Sequence, residues 1–121
     1  MTRILAVDDE PHILKLVSFS LRAGGFEVIE ASDGLSAIEI AEAEQPDLIL
    51  LDVMMPVLDG YEACRRLQAN PATKDIPIVM LTAKTQQSEH KAGFESGAKE
   101  YICKPFTPKD LVAQVQAFLG E

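Results

Sequence analysis

Polar side chains suited to binding a cation and an anion follow four apolar runs of this sequence. Asp8 and Asp9 follow the first run, Asp52 the third, Thr82 the fourth and Lys104 the fifth. Carboxylates that lie close together repel one another, so either the pKa of one of them rises or a cation binds between them. Mg2+ is a suitable cation because it prefers hard oxygen ligands such as carboxylates. The ammonium and hydroxyl groups can donate to an arriving anionic oxygen. The set predicts a magnesium-dependent phosphoryl site, because phosphoryl transfer needs mainly positioning, charge neutralisation and a nucleophile.

Within this site, Asp52 is the candidate nucleophile, and the backbone carbonyl of Met54 is a candidate metal ligand beside the three carboxylates. Taken singly, an aspartate at the end of a strand is more often a helix cap or a turn residue. Three acids, a threonine and a lysine at the ends of four strands would rarely coincide. Their co-occurrence therefore favours the functional interpretation.

The elements that must bring these residues together are short strands alternating with amphipathic helices. Apolar runs predict five strands, at residues 4–7, 26–31, 48–51, 76–81 and 101–103. Helical patterns lie between them, at about residues 11–21, 35–45, 59–69, 88–96 and 107–119. Pro11 suits the first position of a helix, and Thr107 offers an N-cap hydroxyl. Gly93 and a sparse apolar stripe give the fourth helix little support from propensity.

The alternation predicts an α/β fold, because a parallel crossover needs a helix to return the chain. We expect a three-layer, doubly wound (βα)5 sandwich of the flavodoxin-like kind, with five parallel strands in the order 2-1-3-4-5. The continuous apolar run at 48–51 suits a central strand buried on both faces, whereas the run at 26–31 suits an edge. In such sheets ligands bind beyond the carboxyl ends of the strands, which is where the polar residues gather.

Length and composition predict one compact domain over residues 1–121. The formal net charge of -8 argues against broad attraction to nucleic acids or anionic membranes. No apolar stretch approaches the ~20 residues that span a bilayer, and the first residues lead directly into a strand rather than a signal peptide. We therefore expect no membrane association and a cytoplasmic location.

The cysteines and histidines show no metal-ligand spacing. Cys64 and Cys103 are expected to be structural thiols in a reducing compartment. His12 and His90 fall on predicted helix surfaces without ligand companions, so solvated side chains are the better interpretation.

The motifs resemble those of the receiver domains of two-component response regulators, over essentially the whole chain. The resemblance rests on Val7-Asp8-Asp9, on Leu51-Asp52-Val53-Met54-Met55-Pro56 with Asp59-Gly60, on Leu81-Thr82-Ala83 and on Lys104-Pro105-Phe106. It implies that Asp52 accepts a phosphoryl group from a sensor histidine kinase or a histidine phosphotransfer protein. It also implies that Asp8 and Asp9 hold Mg2+ and that Lys104 contacts the phosphoryl group.

The resemblance further implies a signalling switch rather than an enzyme with a separate substrate. Thr82 would move toward the phosphoryl oxygens and Tyr101 would change rotamer, although Tyr101 could also be only a partly buried strand aromatic. The affected face, formed by the fourth predicted helix, the fifth strand and the last helix, would control a partner protein or an output domain. The switch would act as a monomer or as a dimer promoted by phosphorylation.

Self-dephosphorylation is expected to be slow. Met54 and Lys84 stand two residues after the aspartate and the threonine, at positions that in this family tune the hydrolytic water. Neither side chain is an amide or a carboxylate that would orient water.

Three residues near the site are assigned structural roles. Asp59 is expected to cap the third helix, and Gly60 to allow a tight approach of the backbone. Pro105 follows a peptide bond that the resemblance implies to be cis, against the alternative of an ordinary trans loop.

Three other functions are alternatives to a receiver, and the sequence disfavours each of them. A phosphatase of the haloacid dehalogenase type uses an aspartyl nucleophile too, but it needs a second acid where this chain has Met54. A flavodoxin is disfavoured because acids at Asp8 and Asp9 would oppose a phosphate at the first strand-helix loop. A binding module that is not phosphorylated would be supported by loss of Asp52 or Lys104, and both are present.

Overall fold

The computed structural model describes residues 2–83, 100–104 and 106–120. In chain order the elements are β1 (Arg3–Val7), α1 (Pro11–Ala23), β2 (Glu27–Ala31), α2 (Gly34–Glu44), β3 (Leu48–Asp52), α3 (Gly60–Ala69), β4 (Ile78–Ala83), β5 (Glu100–Lys104) and a C-terminal helix (Pro108–Leu119). The predicted helix at 88–96 lies outside the described residues, as do Lys84, His90 and Pro105.

The five strands form one parallel sheet in the order β2-β1-β3-β4-β5, which confirms the predicted topology. Every residue of β3 is buried. Leu48 and Leu50 face one apolar cluster, and Ile49 and Leu51 face the other, because successive side chains of a strand point to opposite faces. The continuous apolar run therefore reflects a central strand covered on both sides.

Helices cover both faces of the sheet and complete three layers. One face is packed by α1 and the C-terminal helix, through the buried residues Val17, Leu21, Leu111 and Val115. The other is packed by α2 and α3, through Ala37, Ala41, Ala63, Cys64 and Leu67. Within the described ranges, no helix is both long and apolar enough to cross a bilayer.

The helix ends follow local chemistry. Pro11 occupies the first position of α1, where its missing N–H would lack a partner within the helix. At the start of α2, the carboxylate of Asp33 accepts a hydrogen bond of 2.7 Å from the N–H of Ser36. The hydroxyl of Thr107 accepts one of 3.1 Å from the N–H of Asp110, as its position before Pro108 predicts.

The predicted bounds of the fourth strand were wrong by two residues at each end. β4 begins late because Pro77 offers no N–H and the N–H of Ile76 donates to the carbonyl of Thr73, 3.0 Å away in the preceding turn. The strand also runs further, so Thr82 lies inside it and not after it. There Thr82 stands opposite Cys103 of β5 in the parallel register.

Candidate functional site

The carboxyl ends of β1 and β3 place three acids at one edge of the sheet. Asp8 follows β1 directly and is 1% exposed, whereas Asp52 ends β3 and is 5% exposed. Asp9 is half-buried beside them. One carboxylate oxygen from each residue lies within 4.8 Å of the others. The geometry thus brings together the three acids that the sequence assigned to one site.

Backbone N–H groups orient two of these carboxylates. The N–H of Glu10 donates to Oδ1 of Asp8 over 2.9 Å. The N–H of Met54 donates to the carboxylate of Asp52. The sequence pointed to the carbonyl of Met54 as a ligand but did not reveal this amide contact, because backbone direction in a loop is not encoded in residue type. Both contacts hold the charged oxygens in fixed positions.

Lys104, at the end of β5, joins β1 and β3 across the sheet edge. Its Nζ lies 3.1 Å from Oδ1 of Asp52 and 3.3 Å from Oδ2 of Asp8. The Lys104 side chain is 23% exposed, so it borders solvent while its ammonium reaches two nearly buried carboxylates. A charge-assisted pair of this kind is stronger than an exposed one, because little water screens it.

Burial and charge shift the ionisation of this cluster. Burial raises the pKa of Asp52 from 3.8 to about 6, against the opposing charge of Lys104 and with the help of the charge on Asp8. Burial would lower the pKa of Lys104, but the charges of Asp52 and Asp8 outweigh it and raise that pKa above its ordinary value. At neutral pH Asp52 is therefore mostly ionised and Lys104 is protonated.

Charge balance at this edge suits a divalent cation. Three carboxylates against one ammonium leave a formal charge of -2, a deficit that one Mg2+ would neutralise. The oxygens are also of the chemical type that Mg2+ prefers, and the half-exposed Asp9 leaves the edge open to metal-bound water.

The loop between β3 and α3 passes very close to Asp52. A Cβ added to Gly60 would lie 2.3 Å from the carbonyl oxygen of Asp52, a distance no side chain tolerates. The N–H of Gly60 donates to the carbonyl of Val53 over 2.9 Å. Asp59 caps α3 by accepting from the N–H of Glu62, also over 2.9 Å. Glycine is thus required here for close approach of two backbone segments.

Thr82 and Tyr101 lie on the neighbouring strands. Thr82 is 1% exposed near the carboxyl end of β4, and Tyr101 is 8% exposed in β5. Tyr101 packs into the apolar cluster on the α2 and α3 side of the sheet, beside Met80, its register partner. Both side chains are therefore buried. Thr82 lies one residue before the carboxyl end of β4, and Tyr101 lies three residues before Lys104, the last residue of β5.

The remaining candidates lie away from the acids. His12 is exposed on α1. Cys64 is buried in α3 and Cys103 is half-buried in β5, and neither forms a disulfide. These positions agree with a solvated side chain for His12 and with structural roles for the two cysteine thiols.

A family model described as the response regulator receiver domain matches residues 4–116. The alkaline phosphatase synthesis transcriptional regulatory protein PhoP of Bacillus subtilis is 47% identical over 117 residues, which are 97% of this chain and 48% of PhoP. The chain spans about half the length of the curated relatives it matches.

Solved structures agree with this match. A response regulator from Chloroflexus aurantiacus superposes with a TM-score of 0.92 at 39% identity, covering 99% of this chain and 98% of that one. The receiver domain of a sensor histidine kinase from Pseudomonas aeruginosa has a TM-score of 0.90 at 34% identity, covering 99% and 98% of the two chains. That protein holds a magnesium ion in its active-site cleft. The chain therefore belongs to the receiver-domain family of two-component response regulators, which are phosphorylation-dependent signalling switches.

Proposed function

We propose that Asp52 accepts a phosphoryl group in the presence of Mg2+. The observation that carries this proposal is the position of Lys104, whose ammonium bridges Asp52 and Asp8 at the edge where the third acid also lies. A nearly buried carboxylate beside one ammonium and two further acids has the charges that phosphoryl transfer requires.

Asp8, Asp9 and Asp52 would hold the metal, with the backbone carbonyl of Met54 as a fourth protein ligand. Mg2+ keeps several waters and needs few protein oxygens, which suits a set of this size. When bound, the metal supplies charge neutralisation of the phosphoryl oxygens. The remaining chemistry falls to the side chains of the chain itself.

In the transfer step, a carboxylate oxygen of Asp52 attacks phosphorus. The bond from phosphorus to the imidazole nitrogen of a phosphohistidine breaks, and its electron pair stays on that nitrogen, leaving a free histidine on the donor. Lys104 holds its ammonium toward the phosphoryl oxygens, where it balances the charge that the metal does not cover. The acyl phosphate formed on Asp52 is later cleaved by water, which yields inorganic phosphate and restores the carboxylate.

Cleavage by water is proposed to be slow. The side chain of Met54 is 63% exposed two residues after Asp52, but its thioether is only a weak hydrogen-bond acceptor. It therefore lacks the carboxylate or amide that would position an attacking water. Slow loss of the phosphoryl group suits a switch whose signal must persist.

Transmission of the signal is proposed to run through Thr82 and Tyr101. Phosphorylation adds nearly two negative charges and three acceptor oxygens, which gives the Thr82 hydroxyl a new partner. A shift of β4 would reach Tyr101, because β4 and β5 are paired throughout this region. The surface around β5 and the C-terminal helix would then change its affinity for a partner or an output domain.

The protein is proposed to act as a receiver domain over residues 1–121, fed by a sensor histidine kinase or a histidine phosphotransfer protein. PhoP and other curated relatives are named as transcriptional regulators and are about twice as long as this chain. The proposed role of the receiver is therefore to control transcription through an output region.

Labelling with a small phosphodonor tests the proposal directly. Acetyl phosphate with Mg2+ should add one phosphoryl group, seen as a single mass increment that alkali removes. Chelation of the metal and Asp52→Asn should each abolish the increment. Equal labelling of the Asp52→Asn variant would refute the assignment, and Asp75→Asn, an exposed acid outside the cluster, serves as the matched control.

A further inference from the structure

The side chain of Met54 is exposed beside the acidic cluster, whereas the other methionines of the described structure are buried. Met54 is 63% exposed, against 7% for Met55 and 0% for Met80. Met55 and Met80 both pack into the apolar cluster that α2 and α3 cover. Oxidants attack the sulfur of a methionine, so access to that sulfur decides which methionine is oxidised first. Within the described residues, Met54 is therefore the preferred site of oxidation.

The backbone of Met54 is fixed close to the carboxylate of Asp52. The N–H of Met54 donates to that carboxylate. A hydrogen bond of about 3 Å and an N–Cα bond of about 1.5 Å place the Met54 Cα within about 4.5 Å of a carboxylate oxygen. The preceding residue is also held, because the N–H of Val53 donates to the carbonyl of Leu81 over 3.1 Å. The exposed side chain thus starts from an anchored position.

The Met54 side chain lies where water must approach the phosphoacceptor. Asp52 is 5% exposed, and β3 lies between β1 and β4 in the sheet. Water therefore reaches a phosphoryl group on Asp52 from the solvent side of this sheet edge. A methionine side chain is unbranched and has three rotatable bonds, so its sulfur can lie over the carboxylate to which its own N–H is bonded.

Oxidation would change the hydrogen bonding of this side chain. A thioether sulfur is a weak acceptor, which is the reason given above for slow cleavage of the acyl phosphate by water. A sulfoxide is polar and carries an oxygen that accepts hydrogen bonds. Oxidation of Met54 therefore supplies, at the same position, the acceptor that the unmodified side chain lacks.

We propose that Met54 is a site of oxidation by peroxides and that its sulfoxide shortens the lifetime of the phosphoryl group on Asp52. This inference rests on the proposed phosphorylation of Asp52. It makes the duration of the signal depend on the oxidant to which the protein is exposed, without any change in the phosphodonor.

Both chemical steps balance. In the first, a lone pair of the Met54 sulfur attacks one oxygen of hydrogen peroxide and the O–O bond breaks, so that sulfur is oxidised to the sulfoxide and the peroxide is reduced to water. In the second, the sulfoxide oxygen accepts a hydrogen bond from a water molecule whose oxygen attacks phosphorus. The bond from phosphorus to the Asp52 oxygen breaks, its electron pair stays on the carboxylate, and both protons of the water leave with the inorganic phosphate.

The experiment measures the lifetime of the acyl phosphate before and after oxidation. The protein is treated with hydrogen peroxide, freed of it and reduced with dithiothreitol, which restores reversibly oxidised thiols but leaves the sulfoxide in place. Peptide mapping locates the added oxygen. Acetyl phosphate with Mg2+ then labels the protein, and loss of the phosphoryl mass is followed after the donor is removed.

Oxidised wild type should lose its phosphoryl group about three- to tenfold faster, the change that one ordinary hydrogen bond makes to a rate. Methionine sulfoxide reductases of both stereospecificities should restore the original lifetime. Met54→Leu cannot be oxidised at this position, so peroxide should leave its lifetime unchanged. Met55→Leu is the matched control, because it removes the buried neighbour and should respond to peroxide as wild type does.

Met54→Gln imitates the modified side chain, since its amide oxygen is an acceptor at a similar distance from the backbone. Without peroxide it should already lose the phosphoryl group faster than wild type, and peroxide should add nothing. A lifetime equal to that of unoxidised wild type would overturn the role of the acceptor.

The outcomes separate this inference from the function on which it rests. Failure of acetyl phosphate to label unoxidised wild type at Asp52 would defeat the proposed function. Normal labelling with the same lifetime before and after oxidation of Met54 would overturn the inference alone. An equal response of Met54→Leu to peroxide, or oxygen added to Met55 or Met80 in place of Met54, would overturn it as well.

Discussion

Asp52 combines burial with charge in a way that costs the folded protein free energy when no metal is bound. Burial raises its pKa to about 6, from 3.8 for an unperturbed carboxyl. Between these values the folded state binds more protons than the unfolded state, so the contribution of Asp52 is most favourable below about pH 4. It becomes unfavourable as the pH rises through about 6, because the ionised group must then remain in a poorly hydrated site.

Replacing Asp52 by asparagine should therefore stabilise the metal-free chain at neutral pH. A difference of roughly two pKa units corresponds to on the order of 2–3 kcal/mol in the free energy of unfolding. Urea denaturation of both proteins at neutral and acidic pH measures this, and the advantage of the variant should shrink toward zero near pH 4. A gain that is independent of pH, or an equal gain for Asp75→Asn, would contradict the explanation.

Gly60, the first residue of α3, lies against the backbone of Asp52 and so fixes how closely α3 approaches the site. Because a Cβ would lie 2.3 Å from the Asp52 carbonyl oxygen, Gly60→Ala must push the start of α3 away from β3. We expect a loss of about 2–4 kcal/mol in unfolding free energy, as for other overpacked positions, together with slower labelling of Asp52.

Gly25→Ala is the matched control for that prediction. Gly25 has a φ of 95° but nothing within 4 Å of its added Cβ, so the substitution costs only backbone strain, about 1 kcal/mol. Equal losses for the two variants in denaturant titrations would show that steric contact with Asp52 is not the cause.

The paired strands β4 and β5 are the proposed route by which phosphorylation of Asp52 reaches the surface. Thr82→Ala removes the hydroxyl but no charge, so labelling of Asp52 should remain within a few-fold of wild type. The phosphorylated variant should, however, lose the changes in amide chemical shift around Tyr101 that phosphorylated wild type shows. Identical shift changes in both proteins would remove Thr82 from the route.

For the strands and helices, the sequence predicted the strand order, the three layers and the sheet edge at which Asp8, Asp52 and Lys104 meet. It could do so because the apolar pattern of each element is visible in a short stretch of sequence, and because few topologies connect alternating strands and helices. The N-caps at Asp59 and Thr107 were equally readable. The left-handed backbone of Val57, with a φ of 68°, was not, since valine rarely adopts that conformation and gives no turn signal. Nor could spacing reveal that Lys104 bonds both Asp8 and Asp52, which depends on three-dimensional distance.

The molecule as a whole has a formal net charge of -8. Part of this negative charge lies at the carboxyl edge of the sheet, where three carboxylates face the single ammonium of Lys104. A cation that binds this edge only in the folded state stabilises the fold by mass action. Mg2+ in excess of its dissociation constant should therefore raise the unfolding free energy of the wild type, by about 2–3 kcal/mol at a hundredfold excess. The same excess of K+ should not, because a monovalent ion leaves half of the charge deficit in place.

Asp8→Asn and Asp52→Asn should each remove most of this metal-dependent gain, whereas Asp75→Asn should keep it. The measurement is the shift of the urea midpoint with and without Mg2+ at constant ionic strength, so that general screening of the acidic surface is the same in both arms. A gain that persists in both cluster variants would place the stabilising ion elsewhere on the acidic surface. In that case the ion that stabilises the fold would not be bound by Asp52. The metal site and the phosphoacceptor would then be two different sites, because an ion held by the Asp52 carboxylate must lose affinity when that carboxylate is removed.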